Sequence, residues 1–250
     1  MSRVLIEAKP AESREVQGHA LEIAEMFIDT IQGEGVNTGV PASFIRVQHC
    51  SLNCAWCDSE EVWRYGNPYT VDEILDLLEE NEMIEKFRNG QHLILTGGSP
   101  LRQQFELVSL IEGFIERFGF KPYIEIENEA VIEPREIVKY IDCWNNSPKL
   151  MSSGNTKRAR MKPDILRKLS SFENSWFKFV VTDEIDWNEI YTQFLEPGLI
   201  KREQIILMPE GATREELQDT RELTVNIAIR EGVRFSDRQH IVLWDKKTGV

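Results

Sequence analysis

Ser43-Phe-Ile-Arg-Val47-Gln-His-Cys50-Ser-Leu-Asn-Cys54-Ala-Trp-Cys57 runs from a β-rich segment straight into three cysteines within eight residues. Ser43–Val47 reads as a strand. Iron–sulfur clusters are usually held by four thiolates, so three cysteines spaced C-x3-C-x2-C with no fourth nearby suit a cluster with one iron left open. A structural zinc would need a fourth ligand from His49, adjacent to Cys50, or from the distant Cys143. Disulfides are disfavoured with only four cysteines in 250 residues and no secretory signal at the start of the chain. Cys143, in Tyr140-Ile-Asp-Cys-Trp144, reads as a thiol that simply packs.

Outward from the cysteines, short β-rich runs alternate with amphipathic helical stretches, the pattern of parallel βα units. Thr70-Val-Asp-Glu73 is a capping box that opens a helix stopping near Gly90. Leu93-Ile-Leu95 is a buried strand, and Leu107, Leu110, Ile111, Phe114, Ile115 and Phe118 give the next helix one apolar face up to Gly119. Tyr123–Glu127 is a third strand. Pro134 suits the first position of a helix, Trp144–Pro148 reads as a strand end, and Lys162–Leu169 reads as another helix. Trp176–Val181 and Gln204–Met208 are further strands, and Thr213-Arg-Glu-Glu216 caps the last long helix, which ends at Gly232. The count gives an α/β fold with a partial, open parallel barrel of about six βα units, short of the complete eightfold barrel. The special residues fall where those strands end: Cys50, Thr96-Gly97-Gly98, Glu127-Asn128 and Ser147-Pro148-Lys149. In such folds the site lies there.

A hydrophobic content of 41% allows a full core, and 29 basic against 42 acidic residues give a net charge of -13. That balance opposes a large nucleic-acid surface or adhesion to anionic lipid and favours a small-molecule substrate. No membrane span or targeting segment is legible, so a cytoplasmic protein is expected. Residues 1–22 read as a polar N-terminal extension, with an edge strand at Val4 to Ile6, and residues 23–250 as a single domain.

The cysteine spacing resembles that of radical S-adenosylmethionine enzymes, and Thr96-Gly-Gly-Ser-Pro100 resembles their Gly-Gly-x-Pro motif, with Ser99 where many members carry glutamate. Thr30-Ile-Gln-Gly-Glu-Gly35, Phe44-Ile-Arg46, the cysteine loop ending in Asp58-Ser59, Ser147-Pro-Lys149 and Trp244-Asp-Lys-Lys-Thr-Gly-Val250 extend the likeness over residues 26 to 250. Taken together they resemble the 7-carboxy-7-deazaguanine synthase family. The resemblance implies a carbon–nitrogen lyase that turns 6-carboxytetrahydropterin into 7-carboxy-7-deazaguanine with loss of ammonia, toward queuosine and related nucleosides. It implies a 4Fe-4S cluster on Cys50, Cys54 and Cys57, S-adenosylmethionine, and a magnesium ion on Ser59. The cofactor would be lined by Trp56, Cys57, Asp58, Gly98, Glu127, Ser147, Pro148 and Lys149. Substrate contacts would come from Ile31, Gln32, Gly33, Glu34, Arg46, Thr96, His240 and the carboxylate of Val250. Arginine at position 46 suits a substrate carboxylate because its fork pairs bidentately. The adenosyl radical released from the cofactor is expected to abstract hydrogen beside that carboxylate, a flavodoxin-like donor to supply the electron, and the chain to form a homodimer. One departure stands out: Glu127-Asn128-Glu129-Ala130 replaces the Glu-Thr-Asn-Gly common in the family, so only Glu127 carries over. Lys178, central in an aromatic strand, has no assigned role. The alternatives are a glycyl-radical activating enzyme, which shares the cysteine and glycine motifs but acts on a protein, and a non-catalytic zinc-binding protein.

Overall fold

The computed structural model describes residues 2–9, 16, 20–57 and 59–250. Its strands are β1 (Arg3–Ile6), β2 (Ala20–Ile31), β3 (Pro41–Val47), β4 (Asn67–Thr70), β5 (His92–Gly97), β6 (Tyr123–Asn128), β7 (Cys143–Asn146), β8 (Ser175–Val181), β9 (Ile205–Pro209) and β10 (Arg234–Phe235). The helices are α1 (Glu60–Trp63), α2 (Val71–Glu80), α3 (Met83–Arg88), α4 (Gln104–Phe118), α5 (Lys157–Arg160), α6 (Pro163–Ser170), α7 (Glu184–Ile190), α8 (Arg214–Glu231) and α9 (Gln239–Trp244). One sheet runs in the order β1-β2-β3-β5-β6-β7-β8-β9-β10, and β4 also pairs with β2. From β3 to β10 the pairings are parallel, while β2 meets β1, β3 and β4 antiparallel. Among the described residues the ends of the sheet do not pair, so the barrel is open.

Period-two alternation sorts each strand into two faces. Ile45, Val47, Leu93, Leu95, Ile124, Ile126, Phe177, Phe179 and Val181 point into the main core beneath the helices. The intervening positions face the barrel interior, where Phe27, Ala42, Phe44 and Ile94 form a separate small cluster. Phe27 and Phe44 stack there with ring centroids 4.7 Å apart. Glu25, Arg46, Thr96, Glu127 and Lys178 take the same face and turn the rest of the interior polar.

Two expected helices change, and some elements were not expected. The helix opened at Thr70 has the reciprocal capping box, with Thr70 Oγ1 accepting from Glu73 N and Glu73 Oε2 accepting from Thr70 N, yet it ends at Glu80. Glu82 takes φ 60° and restarts the chain as α3. From Pro134 only a 3-10 turn forms, Glu136–Lys139. The approach to it is pinned instead to Gln104, which donates to Glu133 O and accepts from Arg135 N. β2, β4, β10, α1, α5, α7 and α9 were not foreseen. Residues 1–22 contribute β1 and the start of β2 to the sheet edge, while residues 10–15 and 17–19 lie outside the described residues. No helix among the described residues is long and apolar enough to cross a membrane.

Candidate active site

A cavity of about 580 Å³ sits at the carboxyl ends of the parallel strands. The sequence-predicted residues converge on it from five strand ends and from the last segment of the chain, through His240 and Val250. Pro148 is the exception among the described ones, buried and not lining the cavity. Asp58 lies outside the described residues.

Cys50, Cys54 and Cys57 are all half-buried on the cavity wall. Each sulfur faces one N–H donor: Leu52 N to Cys50 Sγ at 3.5 Å, Asn155 Nδ2 to Cys54 Sγ at 3.3 Å, and Trp63 Nε1 to Cys57 Sγ at 3.4 Å. Burial pushes the Cys50 and Cys54 thiols above their ordinary range. Thiolates at these positions therefore call for a bound cation to stabilise them. Among the described residues no three His, Cys, Asp or Glu side chains converge to hold a single metal ion.

The glycine turn packs against this loop backbone to backbone. A Cβ on Gly98 would lie 2.0 Å from His49 O and 2.7 Å from Cys50 N, so only glycine fits. Ser99, fully buried, accepts from Ser51 N at 2.8 Å and donates to Glu129 Oε1 at 2.8 Å. Burial raises the Glu129 carboxyl, whose Oε2 is buried with no partner. Trp56 Nε1 is likewise buried and unpartnered on the cavity wall. Lys149 Nζ takes Ser147 O at 3.0 Å and Ser147 Oγ at 2.8 Å, and lies 5.6 Å from the Trp56 ring centroid. Ser59 is the N-cap of α1 but makes no capping hydrogen bond, leaving its hydroxyl on the cavity wall.

Deeper in the cavity a charged network links the loop after β2, strands β6 and β8, and the start of α9. Lys178 Nζ meets Glu34 Oε2 at 2.5 Å and stands 3.9 Å from Glu127 Oε1. Arg238 Nε donates to Glu34 Oε1 at 3.0 Å, and His240 Nε2 lies 3.8 Å from the same oxygen. Burial alone would raise the Glu34 carboxyl, but Lys178, Arg238 and His240 outweigh it and hold it well below the usual range. Glu127 accepts from Gln32 Nε2 at 3.2 Å and from Thr96 Oγ1 at 2.8 Å. Arg46 is oriented by Nε donation to Glu25 Oε1 at 2.8 Å. Gly33 is required by His240: a Cβ there would sit 2.3 Å from His240 Nδ1.

Residues 31–144 match the family described as 4Fe-4S single cluster domain. The 7-carboxy-7-deazaguanine synthase of Halobacterium salinarum is 31% identical over 91% of this chain and 92% of its own length. This chain belongs to the 7-carboxy-7-deazaguanine synthase family. The enzymes of that name from Pyrobaculum aerophilum and Koribacter versatilis are 28% and 30% identical, over 92% and 81% of this chain and 97% and 82% of theirs. The crystal structure of QueE from Escherichia coli shares the fold with a TM-score of 0.65 at 24% identity, covering 88% of this chain and 95% of that one. Membership makes the chain a radical S-adenosylmethionine enzyme with an iron–sulfur cluster. The residues fit both groups: three thiols each backed by a donor, and beside them Trp56 and Glu129, which line the same cavity and each carry a buried polar atom without a partner, Nε1 and Oε2.

Glu129, Lys178, Glu25, Arg238 and Asn155 are the site residues that sequence reasoning missed. A lysine amid aromatic strand residues was a legible signal for Lys178, since a buried ammonium needs a partner. Asn155 carried none.

Proposed function

We propose that this cavity binds 6-carboxytetrahydropterin and that the chain converts it to 7-carboxy-7-deazaguanine with release of ammonia, a carbon–nitrogen lyase step toward queuosine. The observation that carries the reading is the joining, in one cavity, of three thiols with the polar ring of Gln32, Glu34, Arg46, Thr96, Glu127 and His240. When bound, the cluster and S-adenosylmethionine supply a carbon-centred radical; everything else is positioning by this chain.

Cys50, Cys54 and Cys57 would hold the cluster, with the nitrogen donors around them supporting negative sulfur. Trp56, Gly98, Ser147 and Lys149 would line the cofactor, whose carboxylate suits Lys149. Its ammonium suits Glu129, where the buried Oε2 lacks a donor. Asp58 is assigned to the same lining by resemblance alone. Arg46, steadied by Glu25, would pair with the substrate carboxylate, and Gln32, Thr96 and Glu127 offer the donor and acceptor edge a pterin ring needs. Lys178 keeps Glu34 ionised so that the network presents fixed charges to the substrate. Ser59, free of capping duty, suits a magnesium ion as an oxygen donor. We further assign the chain to the cytoplasm, to a homodimer and to reduction by a flavodoxin-like protein, as in the family.

Anaerobic incubation of reconstituted protein with 6-carboxytetrahydropterin, S-adenosylmethionine, magnesium and dithionite should yield the deazaguanine. Cleavage of the cofactor without that product would sink the substrate assignment.

A further inference from the structure

We propose that the exposed basic segment around α5, beside the Cys54 thiol, is the docking face for an acidic one-electron carrier protein of the flavodoxin kind. The proposal rests on the reading above that the chain carries a cluster needing reduction, and adds where the electron arrives.

The first observation is charge segregation. From Cys143 to Pro163 the chain has five cations, Lys149, Lys157, Arg158, Arg160 and Lys162, and no carboxylate. With 42 carboxylates in 250 residues, about one in six, a stretch of 21 should hold three or four. Among the described residues only Arg160 of these five is in an ion pair. Arg160 is buried on Glu189 and anchors α5 from beneath, while Lys157 and Arg158 are exposed and, among the described residues, in no ion pair. Several surface cations elsewhere, Lys86, Arg117 and Lys121 among them, sit on a carboxylate.

The second observation is position. Asn155 donates to Cys54 Sγ at 3.3 Å and accepts from Asn53 N at 3.1 Å, and Ser153 O accepts from Ala55 N at 3.0 Å. The basic turn is thus hydrogen-bonded into the cysteine loop. Lys157 follows Asn155 by two residues, at most about 7 Å of extended chain. Met151, 65% exposed in the same segment, adds apolar surface for contact.

The third step is electrostatic. A chain of net charge -13 repels an acidic carrier over most of its surface, so one cationic face steers encounter to one place. Electron-transfer encounters are small and brief, and steering by charge suits them better than a wide apolar interface. In the encounter one electron leaves the reduced carrier and enters the cluster. No atom is exchanged: the carrier is oxidised by one electron and the cluster reduced by one.

The test uses reconstituted holoenzyme, a recombinant flavodoxin, and the double variant Lys157→Glu/Arg158→Glu. Stopped-flow absorbance gives the second-order rate of cluster reduction, and titration gives the Kd of the complex. The variant should slow reduction by flavodoxin and weaken the complex at least about tenfold at low salt, and flatten the salt dependence of both. Photoreduction by deazariboflavin, an uncharged donor that needs no docking face, should proceed as in the wild type, showing that fold and cluster are intact. The milder Lys157→Gln/Arg158→Gln variant should fall between. Unchanged flavodoxin rate and Kd overturn the proposal, also if the variant instead loses retention of transfer RNA or of anionic vesicles. Because rate and Kd are read without substrate, failure of the pterin reaction would leave this result readable on its own.

Discussion

Replacing Glu34 by glutamine keeps the shape of the side chain and removes the one negative charge shared by Lys178, Arg238 and His240. Lys178 is then left almost wholly buried with its nearest remaining anion, Glu127, 3.9 Å away. Uncovering a buried charge in this way costs about 3–5 kcal/mol. Lys178→Met is the gentler change. Glu34 keeps Arg238, and Glu127 keeps Gln32 and Thr96, so the loss is one charge-assisted hydrogen bond, about 2 kcal/mol. In the double variant the uncovered ammonium is gone, so its cost should fall short of the sum. For a domain of this length Glu34→Gln should lower the Tm by roughly 10 °C. Urea unfolding of the metal-free chains, followed by tryptophan fluorescence, measures all three. Lys178→Met costing as much as Glu34→Gln, or strict additivity, would refute the reasoning.

The pH dependence carries the same logic. Glu34 is held below its ordinary 4.5, so the folded state resists its protonation and the stabilisation is whole above that value. It is lost as pH falls from 4.5 through the lower folded value. Lys178 is raised above its ordinary 10.5 because Glu34 and Glu127 outweigh the effect of burial. Its contribution is complete below 10.5 and disappears only as pH rises through the higher folded value. The gap between wild type and Glu34→Gln should stay level through neutrality and narrow in acid; a gap that widens in acid would contradict the ion pair.

Gly98→Ala should push the His49–Cys50 peptide aside, cost about 1–3 kcal/mol and lower the iron and sulfide bound per chain after reconstitution, whereas unchanged cluster content would speak against the contact. Asn155→Ala removes the donor at Cys54 Sγ and should lower the midpoint potential of the cluster, read by potentiometric titration; no shift would mean the bond has no electronic effect. Ala130 holds φ 59°, so Ala130→Gly should stabilise the apo chain by about 0.5–1 kcal/mol in urea, and a loss of stability would show the turn unstrained.

The fold was legible where signals were local. The capping box at Thr70 and the helix ends at Gly119 and Gly232 appear as read, since each depends on residues within one turn. The strands from Ser43 to Met208 stood out because their outer faces carry the aliphatic and aromatic residues of the core. β2 did not stand out although it is the longest strand. Register shifts near Ile23–Glu25 and Phe27–Thr30 break its alternation, so no single period marks it. Site residues on strand ends were legible by position, but their partners were not. Lys178 and Glu34 are 144 residues apart, and only the parallel stacking of strands between them makes them neighbours.

Two departures from the family pattern, Ser99 for glutamate and Glu129-Ala130 for Asn-Gly, look unrelated in the sequence and touch in space. Ser99 Oγ donates to Glu129 Oε1 at 2.8 Å, beneath Cys50. A carboxylate therefore still stands beside the glycine turn, supplied by the loop after β6 instead of the loop after β5. Neither position is therefore free to revert alone. Ser99→Glu would crowd a second carboxylate against a buried first one; two such groups cannot both ionise, and the overpacking adds about 1–3 kcal/mol. That variant should be less stable and take up little cluster. Ser99→Glu combined with Glu129→Asn leaves one carboxylate in the shared space and should recover most of both losses in urea unfolding and in iron content. A double variant no better than Ser99→Glu would mean that the two residues meet without replacing one another.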